Sequence, residues 1–183
     1  MTMASRRSQD LVIDASVAQA AGPQSAVHPT AKNCRDFLLA VLHVCHRATF
    51  SPEIAREWND HQSGFALQWR SSMFARKKID RIDSPKDKTL RIKITRAAVN
   101  QKQQEAMLKD VHLIEAALSK GMRVAALDET VRGCFRSLSG PVSSLRSICW
   151  INPDSPEEEP LEWLQSGAPH EAIRTLGHAA RRK

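Results

Sequence analysis

Short apolar runs alternate along the chain with segments in which apolar residues recur every three or four positions. Residues 11–13 and 124–127 are continuous apolar runs, which are typical of strands that are covered on both faces in a parallel sheet. Residues 34–46 carry apolar side chains at helical spacing, with Asn33 as the candidate N-cap. Because strands alternate with helices, the pattern predicts βαβ units around a parallel sheet.

The segments between these runs give the other predicted elements. Ser51 followed by Pro52 indicates the start of a helix that ends near residue 61. Gly121 follows an amphipathic helix predicted for 110–120 and suits its C′ position. The further predictions are strands at 47–50 and 147–152, a strand-like alternation at 89–95, and helices at 65–78, 100–109 and 129–138.

The length of 183 residues predicts one ordinary domain. We divide the chain into a flexible lead-in at 1–10, a domain at 11–152, and an acidic, proline-rich connector with a C-terminal tail helix at 153–183. No apolar run approaches the roughly 20 residues of a membrane helix, and the N-terminus does not read as a signal peptide. We therefore expect a cytoplasmic protein that does not contact a membrane.

The four cysteines argue against a zinc site and against disulfides. They lie far apart, without a CxxC pair, at positions 34, 45, 134 and 149. His43 and His46 flank Cys45 and could share a helix face as metal ligands, but packing of Cys45 on a buried face explains the motif more simply. In a reducing compartment the thiols stay free.

The positive charge of the chain is concentrated in one segment. The net charge is +7, and residues 76–102 contain ten bases and three acids, so this segment holds the whole excess. Such a segment suits a polyanion, because phosphates neutralised by lysine and arginine release counterions; a solvated surface loop is the alternative. Trp69 could add an exposed surface for base stacking. The candidate nucleic-acid contacts are Arg76, Lys77, Lys78, Arg91, Lys93 and Arg96.

Four acidic residues lie in places where a charge needs an explanation. Asp14 and Asp128 each end a predicted strand, and ligands of open parallel sheets bind at the carboxyl ends of the strands. Asp110 shares a helix face with an apolar stripe, and Glu57 shares one with Ile54 and Trp58. Each acid alone is explained by a turn, an N-cap or a surface position. Together they predict a cluster.

A cluster of carboxylates would repel itself and therefore bind protons or cations. Oxygen ligands favour Mg²⁺ or Mn²⁺ over zinc. Such ions can polarise a phosphodiester and stabilise the leaving oxygen. Combined with a localised excess of bases, the cluster indicates a nuclease.

The order of these acids resembles that of the PIN-domain nucleases, in particular the VapC-like ribonuclease toxins. "LVIDASV" is similar to the opening strand of the family, with Asp14 as the first acid and Ser16 as the hydroxyl that supports it. "SPEIAREW" would bring Glu57, and "KDVHLIEAALSKGMRVAALDE" would supply Asp110 and Asp128. The resemblance covers roughly residues 11–152. Ala126 departs from it, because many members carry Thr or Ser at that position.

The resemblance implies a three-layer α/β/α sandwich with a central parallel sheet. It also implies a divalent-metal-dependent endoribonuclease in which Asp14, Glu57, Asp110 and Asp128 bind Mg²⁺ or Mn²⁺. Many members are homodimers that a cognate antitoxin protein silences, so this chain would be the toxin of a toxin–antitoxin pair. The alternative is a PIN-like module that binds RNA or a partner protein without cleaving RNA.

Overall fold

The computed structural model describes residues 8–178 and contains a five-stranded, entirely parallel sheet between layers of helices. This arrangement is the predicted three-layer α/β/α sandwich. The strands run in the order β3-β2-β1-β4-β5. Their bounds are Asp10–Ile13 for β1, Arg47–Phe50 for β2, Ile79–Arg81 for β3, Arg123–Ala125 for β4 and Cys149–Ile151 for β5.

Strand β1 lies in the middle of the sheet, where the direction of the topology reverses. On one side its residue Val12 pairs with Thr49 of β2, and on the other side Ile13 pairs with Ala125 of β4. Strands β2 and β3 lie on one side of β1, and β4 and β5 lie on the other side. In open α/β sheets the crevice for a ligand forms at this point, beyond the carboxyl ends of the strands.

Eight α-helices connect or cover the strands within residues 8–178. Their bounds are α1 Ala15–Ala20, α2 Pro29–Val44, α3 Pro52–His61, α4 Gly64–Ala75, α5 Lys88–Ala97, α6 Gln101–Ser119, α7 Glu129–Leu138 and α8 Pro160–Gln165. None of the helices in this described part is long and apolar enough to span a membrane.

Several predicted boundaries are confirmed. The hydroxyl of Ser51 accepts a hydrogen bond from the N–H of Ile54 at 3.3 Å and caps α3, with Pro52 at the first helical position. Gly121 follows the cap of α6 with φ +84°, and a Cβ there would lie 2.3 Å from the carbonyl oxygen of Asp10. Only glycine fits this turn without strain.

The strand-like alternation predicted at 89–95 is wrong, because this segment is the helix α5. Leu90 and Ile94 are four residues apart and buried, and the carboxylate of Asp87 caps the helix by accepting from the N–H of Leu90 at 2.9 Å. The two helices predicted at 100–109 and 110–120 are one continuous helix, α6. The short strand β3 was not predicted, since its polar sequence IDR carries no apolar run.

The core lies on both sides of the sheet and includes the aromatic side chains of Trp58, Trp150, Phe37 and Phe135. Trp58 of α3 donates its indole N–H to the carbonyl of Ile13 at 2.8 Å, so α3 is fixed to the end of β1. Trp69 is also buried and donates to the carbonyl of Leu38, so the expectation of an exposed Trp69 is wrong.

Residues 153–178 pack against the rest of the chain. Trp163 and Leu176 are buried, and the N–H of Leu176 donates to the carbonyl of Ile148 at 2.9 Å. In the acidic segment, the carboxylate of Asp154 accepts from Thr30 at 2.7 Å and from Asn33 at 2.9 Å. The predicted tail helix is α8, while most of the predicted lead-in and the last five residues lie outside the described range.

Candidate active site at the carboxyl edge of the sheet

Asp14 immediately follows β1 and is held by the start of α1. Its Oδ2 atom accepts hydrogen bonds from the backbone N–H of Ser16, at 3.1 Å, and from the Ser16 hydroxyl. The backbone N–H of Asp14 donates to the carbonyl of Ala125 at 2.9 Å. Asp14 is thus the N-cap of α1, yet its Oδ1 atom has no hydrogen-bond partner among residues 8–178 and remains available to a ligand.

Ser16 joins the ends of the two central strands. Its Oγ atom donates to Asp14 and accepts from the backbone N–H of Leu127 at 3.3 Å. Many PIN-domain proteins carry Thr or Ser at the position of Ala126, which has no hydroxyl. Here the backbone N–H of Leu127 donates to the Ser16 hydroxyl, so Ser16 is held in place without a side-chain partner at position 126. The loops after β1 and β4 are therefore held together at the base of the crevice.

Asp128 follows β4 and caps α7. Its Oδ1 atom accepts from the N–H of Val131 at 2.9 Å, and the residue is exposed. Its Oδ2 atom has no hydrogen-bond partner in the described part of the chain. Asp128 therefore has the same arrangement as Asp14: the helix holds one carboxylate oxygen, and the other is free.

Asp110 lies in the middle of α6 and is half-buried, so it does not cap a helix. Burial, together with the negative charges of Asp14 and Asp128, raises the pKa of its carboxyl to about 6, although the positive charges of Lys109 and His112 oppose this change. Neither oxygen of Asp110 has a hydrogen-bond partner within residues 8–178. The charges of Asp14 and Asp128 therefore act on Asp110, and Asp110 is the one of these three acids whose carboxylate accepts no hydrogen bond from the described residues.

Glu57 is the fourth acid, and it is bound to a histidine. Its Oε2 atom lies 3.0 Å from Nε2 of His112, whose Nδ1 lies 3.0 Å from the carbonyl oxygen of Lys109. A carbonyl and a carboxylate can only accept, so the two contacts favour a His112 ring that carries a proton on both nitrogens. Burial lowers the pKa of His112, but the hydrogen bond and charge of Glu57, the Lys109 carbonyl and Asp110 together raise it above its ordinary value.

His112 was not identified from the sequence. It stands in the apolar run of α6, and six of its immediate neighbours in that helix are also buried, so periodicity assigns it to the core. The only signal was its position two residues after Asp110. In the structure His112 contacts Glu57, and its charge also acts on Asp110.

The donor atoms of the cluster fit a hard cation in chemistry, because all are carboxylate oxygens. A cation would also relieve the repulsion that raises the pKa of Asp110. In the described part of the chain, however, no three His, Cys, Asp or Glu side chains lie close enough to hold one ion together. Coordination by Asp14, Asp110 and Asp128 would therefore require rotation of their free oxygens toward a common point.

The six candidate nucleic-acid contacts differ in their positions and in their partners. Arg76, Lys77 and Lys78 precede β3 and lie at the amino edge of the sheet, opposite to the cluster. Arg91 forms two hydrogen bonds of 2.7 Å with the buried carboxylate of Glu115. Lys93 and Arg96 are exposed on α5.

Comparisons of this chain with protein-family models, with curated proteins and with solved structures find no match. The resemblance to PIN-domain nucleases therefore stays a hypothesis drawn from the order of the acids. The functional argument depends on the geometry of the cluster at the junction of β1 and β4.

Proposed function

We propose that this chain is a divalent-metal-dependent endoribonuclease with a PIN-like active site. The observation that carries the proposal is the coupling of Asp110 to Asp14 and Asp128 at the carboxyl edge of β1 and β4. Asp110 is half-buried without a hydrogen-bond partner in the described residues. A charged carboxylate in that position lowers the stability of the fold unless a bound cation or a proton neutralises its charge.

In this proposal three aspartates bind the ion and Ser16 supports one of them. Asp14, Asp110 and Asp128 would hold Mg²⁺ or Mn²⁺ through the oxygens that the helix caps leave free. A bound ion would supply positive charge to the phosphodiester and lower the pKa of a water molecule. Ser16 holds one oxygen of Asp14 and leaves the other without a partner, so it would limit the conformations of Asp14 and lower the entropic cost of binding the ion.

Glu57 has a different role in this proposal. Its carboxylate is paired with the His112 imidazolium, so it is less available as a ligand than the other three acids. The pair places a positive charge beside Asp110, which lowers the pKa of that carboxyl. Glu57 therefore tunes the charge of the cluster through His112 and acts as a positioning residue.

Cleavage of single-stranded RNA with Mg²⁺, with Mn²⁺ and with excess chelator tests the proposal. We expect Asp14→Asn, Asp110→Asn and Asp128→Asn to lose about 100-fold or more in rate, as is usual when electrostatic stabilisation at a reacting centre is removed. Asp60→Asn, an exposed change on α3, is the matched control. Equal cleavage by the wild type and the three cluster variants would overturn the proposal.

The toxin role is a narrower proposal, and its support is the resemblance alone. A toxin would stop bacterial growth when expressed, and Asp14→Asn would restore growth at the same protein level. An antitoxin or a second copy of the chain would be the protein partner. The competing function is a non-catalytic RNA-binding or interaction module, and salt-dependent RNA binding with no cleavage in any divalent metal would favour it.

A further inference from the structure

A cleft lies on the same edge of the sheet as the acid cluster. Its volume is about 610 Å³, and it lies between α3, α4 and the carboxyl ends of β2 and β3. Phe50 and Ser51 line it where β2 ends, and Arg81 and Ile82 line it where β3 ends. Neighbouring strands lie about 4.8 Å apart, so the end of β3 is about 10 Å across the sheet from the end of β1. One ligand strand could therefore reach both places.

Two arginines in this cleft have no carboxylate partner. Arg70 donates to the amide oxygen of Asn59 at 2.8 Å, and neither Arg70 nor Arg81 forms an ion pair within residues 8–178. Burial lowers the pKa of Arg70, and the positive charge of Arg81 lowers it further. Two neighbouring cations without a counter-charge form a binding site for an anion.

Apolar and aromatic side chains form the other side of the cleft. Phe74 is 61% exposed and Leu67 is 48% exposed on helix α4, whose buried side is formed by Ala66, Trp69 and Met73. The guanidinium of Arg81 lies 5.4 Å from the centre of the Phe74 ring. Arg81 therefore orients the ring and places a positive charge directly beside an aromatic surface.

We propose that this cleft binds one nucleotide of a single-stranded RNA, with the base against Phe74 and Leu67 and the phosphate between Arg70 and Arg81. A nucleotide combines the two properties that the cleft offers, since its base stacks on an aromatic ring and its phosphate pairs with guanidinium groups. The inference rests on the proposed function, because it places the RNA strand that the acid cluster would cleave. Of the side chains in this proposed contact, Arg81 belongs to the basic segment predicted from the sequence, whereas Arg70, Phe74 and Leu67 lie outside residues 76–102.

Binding of a labelled single-stranded 2′-O-methyl oligonucleotide in excess EDTA tests this inference without any cleavage. We expect Phe74→Ala to weaken binding by about fivefold or more, because one stacked base is lost. Arg70→Ala and Arg81→Ala should each weaken it by about tenfold, because a charge-assisted hydrogen bond is lost. The two arginine variants should also lower the slope of log Kd against log salt by about 0.7 per phosphate contact, while Phe74→Ala leaves the slope unchanged.

Two controls match these changes. Lys32→Ala removes one positive charge from α2, and Val27→Ala shortens an apolar side chain that is 92% exposed; both should bind as the wild type does. Wild-type affinity in all three cleft variants would overturn the inference, even if the cluster variants abolish cleavage. If Phe74→Ala instead splits a dimer without changing oligonucleotide affinity, the cleft is a protein interface and the inference is wrong. If the cleft variants lose oligonucleotide binding and the wild type does not cleave RNA, the inference of a nucleotide site is supported and only the proposed nuclease activity is overturned.

Discussion

The hydroxyl of Ser16 accepts a hydrogen bond from the backbone N–H of Leu127 at 3.3 Å, and so joins the segments that follow β1 and β4. The same hydroxyl donates to the carboxylate of Asp14. One small side chain therefore fixes the distance between the loops that carry Asp14 and Asp128. Removal of this hydroxyl should affect both the stability of the sheet edge and the geometry of the cluster.

We predict that Ser16→Ala lowers the free energy of unfolding by about 1 kcal/mol, since one part-buried hydrogen bond and the donor to Asp14 are lost. RNA cleavage should fall by about 10-fold to 100-fold, which is the usual effect of removing a group that orients a ligand carboxylate. Urea denaturation and a cleavage assay measure the two effects. Ser16→Thr keeps the hydroxyl and should retain most of both; a Ser16→Ala protein with full activity would show that Ser16 does not position Asp14.

Local signals in the sequence were sufficient for most of the fold. The pair Ser51-Pro52 specified the first turn of α3, because a hydroxyl cap and a proline at the first helical position are both local features. Gly121 specified the turn into β4 for a similar reason, since a left-handed backbone favours glycine. The order of strands and helices then followed from the parallel βαβ pattern.

Features that depend on distant contacts were not predicted. The α5 segment has a polar pattern with apolar residues at Leu90, Ile92 and Ile94, which suits either a strand or a helix. In the structure α5 packs against α6, and Leu90 and Ile94, four residues apart, are buried as a helix requires. The strand β3 is held by its pairing with β2 and has no apolar run of its own. His112 looks like a core residue in the sequence, and only its contact with Glu57, 55 residues away, shows its role.

The pKa of Asp110 predicts a pH-dependent gain of stability in Asp110→Asn. Its value of about 6 in the folded protein lies above the ordinary value of 3.8 for an aspartate, so ionisation destabilises the fold as the pH rises through this window. A shift of this size corresponds to about 3 kcal/mol, which solvent screening of a half-buried group reduces to about 1–2 kcal/mol. In chelator, the free energy of unfolding of Asp110→Asn should exceed that of the wild type by this amount at pH 8, and the two should become equal at about pH 3, where the carboxyl is protonated in both states.

Urea denaturation at the two pH values measures this difference, and Asp60→Asn serves as the exposed control. Mg²⁺ or Mn²⁺ at pH 8 should then stabilise the wild type more than Asp110→Asn, because only the wild type carries the charge that the cation neutralises. A difference between Asp110→Asn and the wild type that is the same at both pH values would contradict the raised pKa of Asp110.

We predict that Glu57→Gln lowers the pKa of His112, since the variant loses the negative charge that favours the imidazolium. A raised histidine pKa contributes stability that is fully present below the unfolded value of about 6.5 and is lost as the pH rises through the folded pKa. Glu57→Gln should therefore cost about 1–2 kcal/mol at pH 6, where a charge-assisted hydrogen bond is weakened, and less at pH 9.

NMR titration of the histidine ring signals measures this pKa, with His112→Gln to assign the resonance among the 7 histidines of the chain. Glu53→Gln is the matched control, because Glu53 lies one turn earlier on α3 and contacts Ser84 and Lys86 instead. An unchanged titration of His112 in Glu57→Gln would show that Glu57 does not hold its proton.

The last prediction separates a structural role of Arg91 from a role in RNA binding. Arg91 makes a two-pronged ion pair with Glu115, whose side chain is 1% exposed and also accepts from the N–H of Asp87 at 2.8 Å. Arg91→Ala would leave a buried carboxylate without its cation and should destabilise the protein by about 3–5 kcal/mol. Lys93→Ala and Arg96→Ala, on the exposed surface of the same helix, should change stability by less than about 0.5 kcal/mol.

Thermal and urea denaturation of the three variants measures the contrast. The double variant with Arg91→Ala and Glu115→Gln should recover part of the loss, because it removes the buried charge together with its partner. If Arg91→Ala is as stable as Lys93→Ala, the pair does not hold α5 against α6. Reduced RNA binding by Arg91→Ala alone would then indicate a direct contact with phosphate, whereas a loss that the double variant restores would follow from the displaced helix.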